Sequence, residues 1–358
     1  MKSFSIGSHT IGEGNPCFII AEMSANHSQN YEKAVEIVKA AAAAGADAIK
    51  LQTYKPETMT MDSDKPCFWV DGDENPESWK RQTFFELYKK AYTPWEEWHG
   101  PLQKLAHERG MEFLSTPFDP TAVDFLETLG VPCYKIASYE ATDIPLLKRI
   151  ARTKKPVIMS VGFASLEEIE LSIQTLRENG TDDLAILLCT TSYSDVAHPE
   201  ATNLATMKDL VRRFDCIVGF SDNMGGVEVP ALAAAAGAAI IEKHFVVTHD
   251  AETQLDDRFS LDQEGLKKMI DTIRWQEMVM GTVSYGPQTP AELHNRRFRR
   301  SLFAGVDIKK GEKFTSANVR DVRPDAGLET KYFEEILNYT AAKDIEAGTP
   351  LAWELIVK

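Results

Sequence analysis

The stretch AAIIEKHFVV, residues 238–247, decides the fold. It reads as an internal strand whose end turns polar: an apolar run delivers Glu242, Lys243 and His244 in succession. A short apolar run of this kind suits a strand buried on both faces. Side chains alternate along a strand, so Glu242 and His244 share one face and Lys243 takes the other, outward toward helices. Seven more runs of the same type occupy 18–23, 48–54, 112–118, 133–138, 156–162, 184–190 and 216–222, and the eighth strand spans 240–245. Helical periodicity fills the gaps at 31–44, 94–109 and 165–179, each followed by a glycine (Gly45, Gly110, Gly180), which is a helix-stop signal. TDIPLLKRIA (142–151) and SLEEIELSI (165–173) open on N-cap residues. Strands alternating with helices to a count of eight predict a (β/α)8 TIM barrel. The competing open doubly wound sheet is set aside because no GxGxxG follows the first strand.

Composition narrows the function classes. The net charge of −15 opposes nucleic-acid binding, which needs a basic footprint. A local lysine cluster still serves an anionic substrate. The five cysteines, at 17, 67, 133, 189 and 216, form no CxxC and suit buried thiols in a reducing compartment. The first residues carry no apolar core of a signal peptide, and no run reaches a membrane span, so a cytoplasmic chain with no membrane contact is expected.

Three regions break the alternation. Residues 55–81 form a long irregular segment after the second strand, where a barrel places an active-site loop. Residues 282–295 read as a linker between a barrel domain (1–281) and a small C-terminal domain (296–358). Within the latter, AGVDIKKGEKF (304–314) and AAKDIEAGTPL (341–351) repeat one pattern, which points to internal pseudo-symmetry. A domain of roughly 60 residues is marginal alone and is expected to dock on something.

In a barrel the C-terminal strand ends build the site. Here every strand ends polar: Glu22; Lys50 and Gln52; Ser115 and Thr116; Lys135 and Ser138; Ser160; Thr190 and Thr191; Ser221 and Asp222; Glu242 and His244. Two lysines with several hydroxyls suit a phosphate or carboxylate. Glutamates and a histidine add acid–base or metal chemistry. Ser115 is as well placed to cap a helix, Cys189 reads as a small core residue, and His9, His99, His107 and His249 read as surface groups.

FIIAEMSANH (18–27), GADAIKLQTY (45–54), STPFD (115–119), YKIASYEATDIPLL (134–147), KPVIMSVGFAS (155–165), GFSD (219–222) and IIEKHF (240–245) resemble the N-acylneuraminate (sialic acid) synthase family. The tail, RRSLFAGVDIKKGE (299–312) with VRPDAGL (322–328), resembles that family's C-terminal antifreeze-like (SAF, β-clip) domain. DDRFSLD (256–262) and VRPDAGL are most similar to the pseudaminic acid branch. The resemblance implies condensation of phosphoenolpyruvate with the aldehyde of an N-acetylated amino sugar, giving a nine-carbon 2-keto acid and phosphate. For the pseudaminic branch the sugar is 2,4-diacetamido-2,4,6-trideoxy-altrose; sialic and legionaminic precursors are the alternatives. It further implies a divalent metal, usually manganese, and a domain-swapped homodimer. By motif position, Lys50, Thr116, Lys135, Ser138, Ser160 and Ser221 hold phosphoenolpyruvate. Glu22 is the acid–base glutamate; Gln52, Glu140, Tyr193 and Asp250 contact sugar or support the site; Glu242 belongs to the same wall; Arg323 reaches a neighbouring subunit's sugar.

One position departs. The family's GLSDH reads GFSDN here, so Asn223 stands where the second metal-binding histidine is expected beside His244. An asparagine oxygen binds hard cations but is a poorer ligand than imidazole for late transition metals. Three consequences are open: weaker binding with manganese or magnesium preferred, a substitute ligand such as His198, or loss of metal-dependent turnover. Two other functions compete: a Schiff-base aldolase using Lys135, and a non-catalytic sugar- or ice-binding protein resting on the tail.

Overall fold

The computed structural model describes residues 2–70, 72, 79–250 and 254–358. They form two compact units, Met1–Gly281 and Thr282–Lys358. Part of the 55–81 segment, residues 71 and 73–78, lies outside the described residues.

In the first unit eight strands form one sheet: β1 (Phe18–Glu22), β2 (Ala48–Thr53), β3 (Glu112–Pro117), β4 (Tyr134–Ile136), β5 (Val157–Ser160), β6 (Leu184–Cys189), β7 (Ile217–Asp222) and β8 (Ile240–His244). The order is β3-β2-β1-β8-β7-β6-β5-β4, with parallel ladders throughout. The outermost strands of that order, β3 and β4, lie against each other and close the barrel. Helices between the strands start and stop where the sequence indicates. Asn30 accepts from the Lys33 amide at 3.0 Å to open Tyr31–Ala44, and Gly45 closes it at φ 95°. Ser165 and Glu168 form a reciprocal capping box at Leu166–Glu178.

Strand alternation sorts the core into two layers. Outward residues such as Ile19, Ile49 and Val218 pack under the helices. Inward residues such as Ile20, Leu114, Ile158 and Ile240 fill the barrel. Gly219 is needed at an inward position of β7, because a Cβ there would collide with Leu187 and the Ile240 carbonyl. An antiparallel hairpin, Ser3–Ile6 with His9–Gly12, adds Phe4, Ile6 and Ile11 to this inner cluster and plugs the end where the strands begin. Periodicity does not reveal this hairpin, because two four-residue strands carry too short an alternation to register.

The supposed linker is not wholly irregular. Thr289 and Glu292 form a capping box that opens a short helix, Pro290–Asn295. The second unit has its own core around Leu302, Ile308, Phe314, Ile336 and Ile345. Its sequence repeat is a structural two-fold. Ile308 and Ile345, equivalent in the two copies, exchange backbone hydrogen bonds at 2.8 and 2.9 Å. Gly311 donates to Ala341, and its counterpart Gly348 donates to Ala304, both at 2.8 Å. Each copy thus supplies the partner groups for the other.

Candidate active site

Each barrel strand contributes one inward side chain, or the residue next in phase, to a single polar layer above the apolar filling. Glu22, Lys50, Thr116, Lys135, Ser160, Cys189, Ser221 and Glu242 line one cavity of about 450 Å³ at the strand ends. Glu22 registers beside Lys50, and Ser221 beside both Cys189 and Glu242. The lysines and carboxylates form one cluster, all at least nine-tenths buried. Lys50 Nζ contacts Glu22 Oε2, donates to Thr116 Oγ1 at 3.1 Å and lies 3.7 Å from Glu242 Oε2. Lys135 Nζ donates to Ser160 Oγ at 2.8 Å and lies 3.3 Å from Glu242 Oε1. Ser221 Oγ donates to the same Oε1 at 3.0 Å.

The two carboxylates are tuned apart. Burial would raise the Glu242 pKa, but Lys135 and Lys50 outweigh it and hold the group at about 2. For Glu22 burial wins over Lys50, and its pKa rises. Glu22 Oε1 accepts from the Ser24 amide at 2.9 Å. Burial also lowers Lys135 and brings His244 to about 3, with the nearby Lys50 charge acting in the same direction, so the imidazole is neutral. Carboxyls separated in this way are what acid–base chemistry at neutral pH requires.

Backbone strain gathers at the same mouth. Ser24 (φ 45°) and Tyr193 (φ 44°) sit in the left-handed region, which non-glycine residues rarely adopt, and both line the cavity. Gln52 Nε2 donates to Ser24 Oγ at 2.9 Å, and Ser138 Oγ accepts from the Gly162 amide at 3.1 Å. Glu140 lines the cavity with a buried Oε2 that has no hydrogen-bond partner, and burial raises its pKa to about 7.

Several expectations need correcting. Asp250 does not line the cavity; its carboxylate lies 3.9 Å from the half-buried Lys33 ammonium. His198 is engaged by Ser194 at 3.0 Å and Glu200 at 3.3 Å and does not line the cavity either. Lys243 takes the strand face opposite Glu242, as alternation requires, but it is fully buried there: its ammonium pairs with Asp222 at 2.8 Å and meets the Met224 carbonyl. Cys189 is cavity lining, not plain core. His99 is buried, 2.9 Å from Thr53 Oγ1, with its pKa lowered to about 3 by burial. Ser115 bonds the Leu51 carbonyl at 3.0 Å and serves the scaffold. Arg323 is exposed on the second unit, which leaves its expected role uncorrected.

Two parts of the cavity are not legible in the sequence pattern. One is Asp256, whose carboxylate accepts from Ser24 Oγ. The other is the helix Phe84–Ala91, which lines one wall with Phe84, Leu87, Tyr88 and Ala91. Its Thr83–Glu86 capping box is the one signal that could have found it.

Among the described residues no cluster of three His, Cys, Asp or Glu has metal-holding geometry. The donor set nevertheless fits a hard divalent cation. His244 is neutral, its buried Nδ1 has no hydrogen-bond partner, Asp256 Oδ2 lies 3.8 Å from it, and Asn223 lines the same cavity.

Fold and site together define a (β/α)8-barrel enzyme with a buried lysine–carboxylate centre. Residues 37–285 match the NeuB family model, and residues 299–357 match the SAF domain. The pseudaminic acid synthase of Campylobacter jejuni (strain 81-176) is 42% identical over 93% of this chain and 95% of its own length. The N,N'-diacetyllegionaminic acid synthase of Legionella pneumophila is 35% identical over 96% of each chain. A crystal structure of a putative spore coat polysaccharide biosynthesis protein E from Chromobacterium violaceum superposes with a TM-score of 0.75, covering 96% of this chain and 100% of that one at 26% identity. The chain belongs to the NeuB family.

Proposed function

We propose that the protein condenses phosphoenolpyruvate with the aldehyde of an N-acetylated amino sugar, releasing phosphate and a nine-carbon 2-keto acid of the pseudaminic type. The supporting observation is the single layer to which eight strands contribute, with Lys50 and Lys135 beside the hydroxyls of Thr116, Ser160 and Ser221. Such a set binds a small dianion carrying phosphate and carboxylate. The enol C3 of the bound substrate attacks the aldehyde carbon, the carbonyl oxygen takes a proton, and water adds at C2. Phosphate then leaves from the tetrahedral centre. Glu22, whose pKa burial raises, is a stronger base than an ordinary carboxylate and is the group in this layer that takes the proton of that water. His244 and Asn223 are the residues that would hold a manganese or magnesium ion, whose chemistry is to polarise the aldehyde.

The wall of Phe84, Leu87 and Ala91 supports a sugar with apolar ends. A 6-deoxy, di-N-acetylated hexose presents methyl groups where N-acetylmannosamine presents hydroxyls. The higher identity to the pseudaminic than to the legionaminic relative favours the same substrate. Arg323 from a second copy and a cytoplasmic, dimeric protein belong to this reading. The lowered pKa of Lys135 also suits a Schiff-base aldolase. Phosphate release from phosphoenolpyruvate across a panel of N-acetylated hexoses tests the proposal. Release is expected to be fastest with 2,4-diacetamido-2,4,6-trideoxy-altrose. No release with any sugar refutes it, and borohydride trapping of a Lys135 adduct establishes the aldolase instead.

A further inference from the structure

His244 is the only histidine lining the cavity among the described residues, and its Nδ1 is buried with no hydrogen-bond partner. An imidazole nitrogen left this way is costly unless something in the cavity satisfies it. The nearest acidic oxygen is Asp256 Oδ2, 3.8 Å away, which is too far for a hydrogen bond. Two ligand bonds of about 2.1 Å each reach across that gap. The imidazole is held in place by edge-to-face packing on Phe259, with ring centroids 4.9 Å apart. The carboxylate is held in place as well. Ser24 Oγ donates to it, and Gln52 Nε2 donates to Ser24 Oγ at 2.9 Å, so a chain of two residues orients it. Ser24 takes its left-handed backbone at this same point. Asn223 lines the cavity too, and its Nδ2 is committed to the Thr190 carbonyl at 2.7 Å, which fixes how the amide is turned.

We propose that Asp256 is a direct ligand of a divalent cation seated between its carboxylate and His244 Nδ1, so that in this chain a carboxylate supplies what the asparagine at 223 supplies poorly. One imidazole with oxygen donors makes this a site for manganese or magnesium rather than zinc. Ser24 and Gln52 position the carboxylate and do not touch the ion. The cation's use in catalysis rests on the synthase reading; its binding does not.

Manganese binding to the full-length chain, read from the loss of the free-ion electron paramagnetic resonance signal, tests the site without turnover. The wild type is expected to bind one ion per chain. Asp256→Asn, which keeps the shape and the Ser24 acceptor, is expected to weaken binding by at least about ten-fold, as is His244→Gln. Asp256→Cys is expected to lose manganese but bind cadmium at least about ten-fold more tightly than the wild type, with thiolate-to-cadmium absorption in the ultraviolet. The band is read as the excess over the wild type, whose own Cys189 lines the same cavity. The proposal is overturned if the wild type binds no manganese, if Asp256→Asn binds it like the wild type, or if Asp256→Cys shows no cadmium–thiolate band. Phosphate release measured in parallel keeps failure of the synthase reading distinct from failure of the site.

Discussion

Glu242→Gln should unmask the charge balance of the barrel mouth. The carboxylate lies 3.3 Å from the Lys135 ammonium and 3.7 Å from that of Lys50, with a 3.0 Å hydrogen bond from Ser221. Burial opposes ionisation, yet the lysines hold the group at about 2 against an ordinary 4.5. At 1.36 kcal/mol per pK unit this drop is worth about 3 kcal/mol. Glutamine keeps the shape and the acceptor for Ser221 but leaves two buried ammonium groups facing Glu22 alone. A loss of about 3 kcal/mol is therefore expected in urea unfolding at pH 7, the order found when one partner of a buried pair is removed. The sign with pH follows from the depressed folded pKa. The contribution is fully present above 4.5 and is lost as pH falls toward 2, so the gap between wild type and variant should narrow in acid. Inorganic phosphate, which restores negative charge to the mouth, should stabilise the variant more than the wild type. A variant within about 0.5 kcal/mol of wild type at pH 7, or a gap that does not shrink in acid, refutes the reasoning.

Lys135→Met removes a buried ammonium whose desolvation already lowers its pKa; phosphoenolpyruvate turnover should fall at least about hundred-fold, and the urea midpoint should fall as well, because Glu242 keeps only Lys50 as a cationic neighbour, as steady-state kinetics and unfolding will show. Leu87→Asn places an amide on the apolar wall and should lower kcat/KM for the trideoxy sugar about ten- to hundred-fold, with a smaller effect on N-acetylmannosamine. Glu140, raised by burial to about 7, binds its proton more tightly folded than unfolded. Its contribution is full below 4.5 and lost as pH climbs through about 7, so Glu140→Gln should flatten the urea midpoint between pH 5 and 8.

The sequence by itself determined the barrel and most of its mouth. Period-two alternation in eight apolar runs fixes which residues point inward, so the positions of Lys50, Thr116, Lys135, Ser160, Ser221 and Glu242 within their runs suffice to place each on one face of its strand. Caps at Asn30, Ser165 and Gly45 are equally local and equally legible. The repeat in the tail is visible as a pattern, but only the fold gives its reason, in the reciprocal bonds of Ile308 and Ile345.

What the tertiary structure alone decided lies where chain-distant segments meet. Asp256 lies 3.8 Å from His244 although no local pattern pairs the two, and Asp250, six residues earlier in the chain, lies 3.9 Å from Lys33 instead. For Lys243 the strand parity is plain, but its burial against Asp222 depends on packing between β7 and β8. Which carboxylate has the higher pKa is likewise undetermined in the sequence. Glu22 and Glu242 are the same chemical group, and their pKa values part because one faces two lysines while the other is dominated by burial. Alternation and capping depend on residues a few positions apart, whereas desolvation and charge pairing depend on distances in space, which only the closed barrel sets.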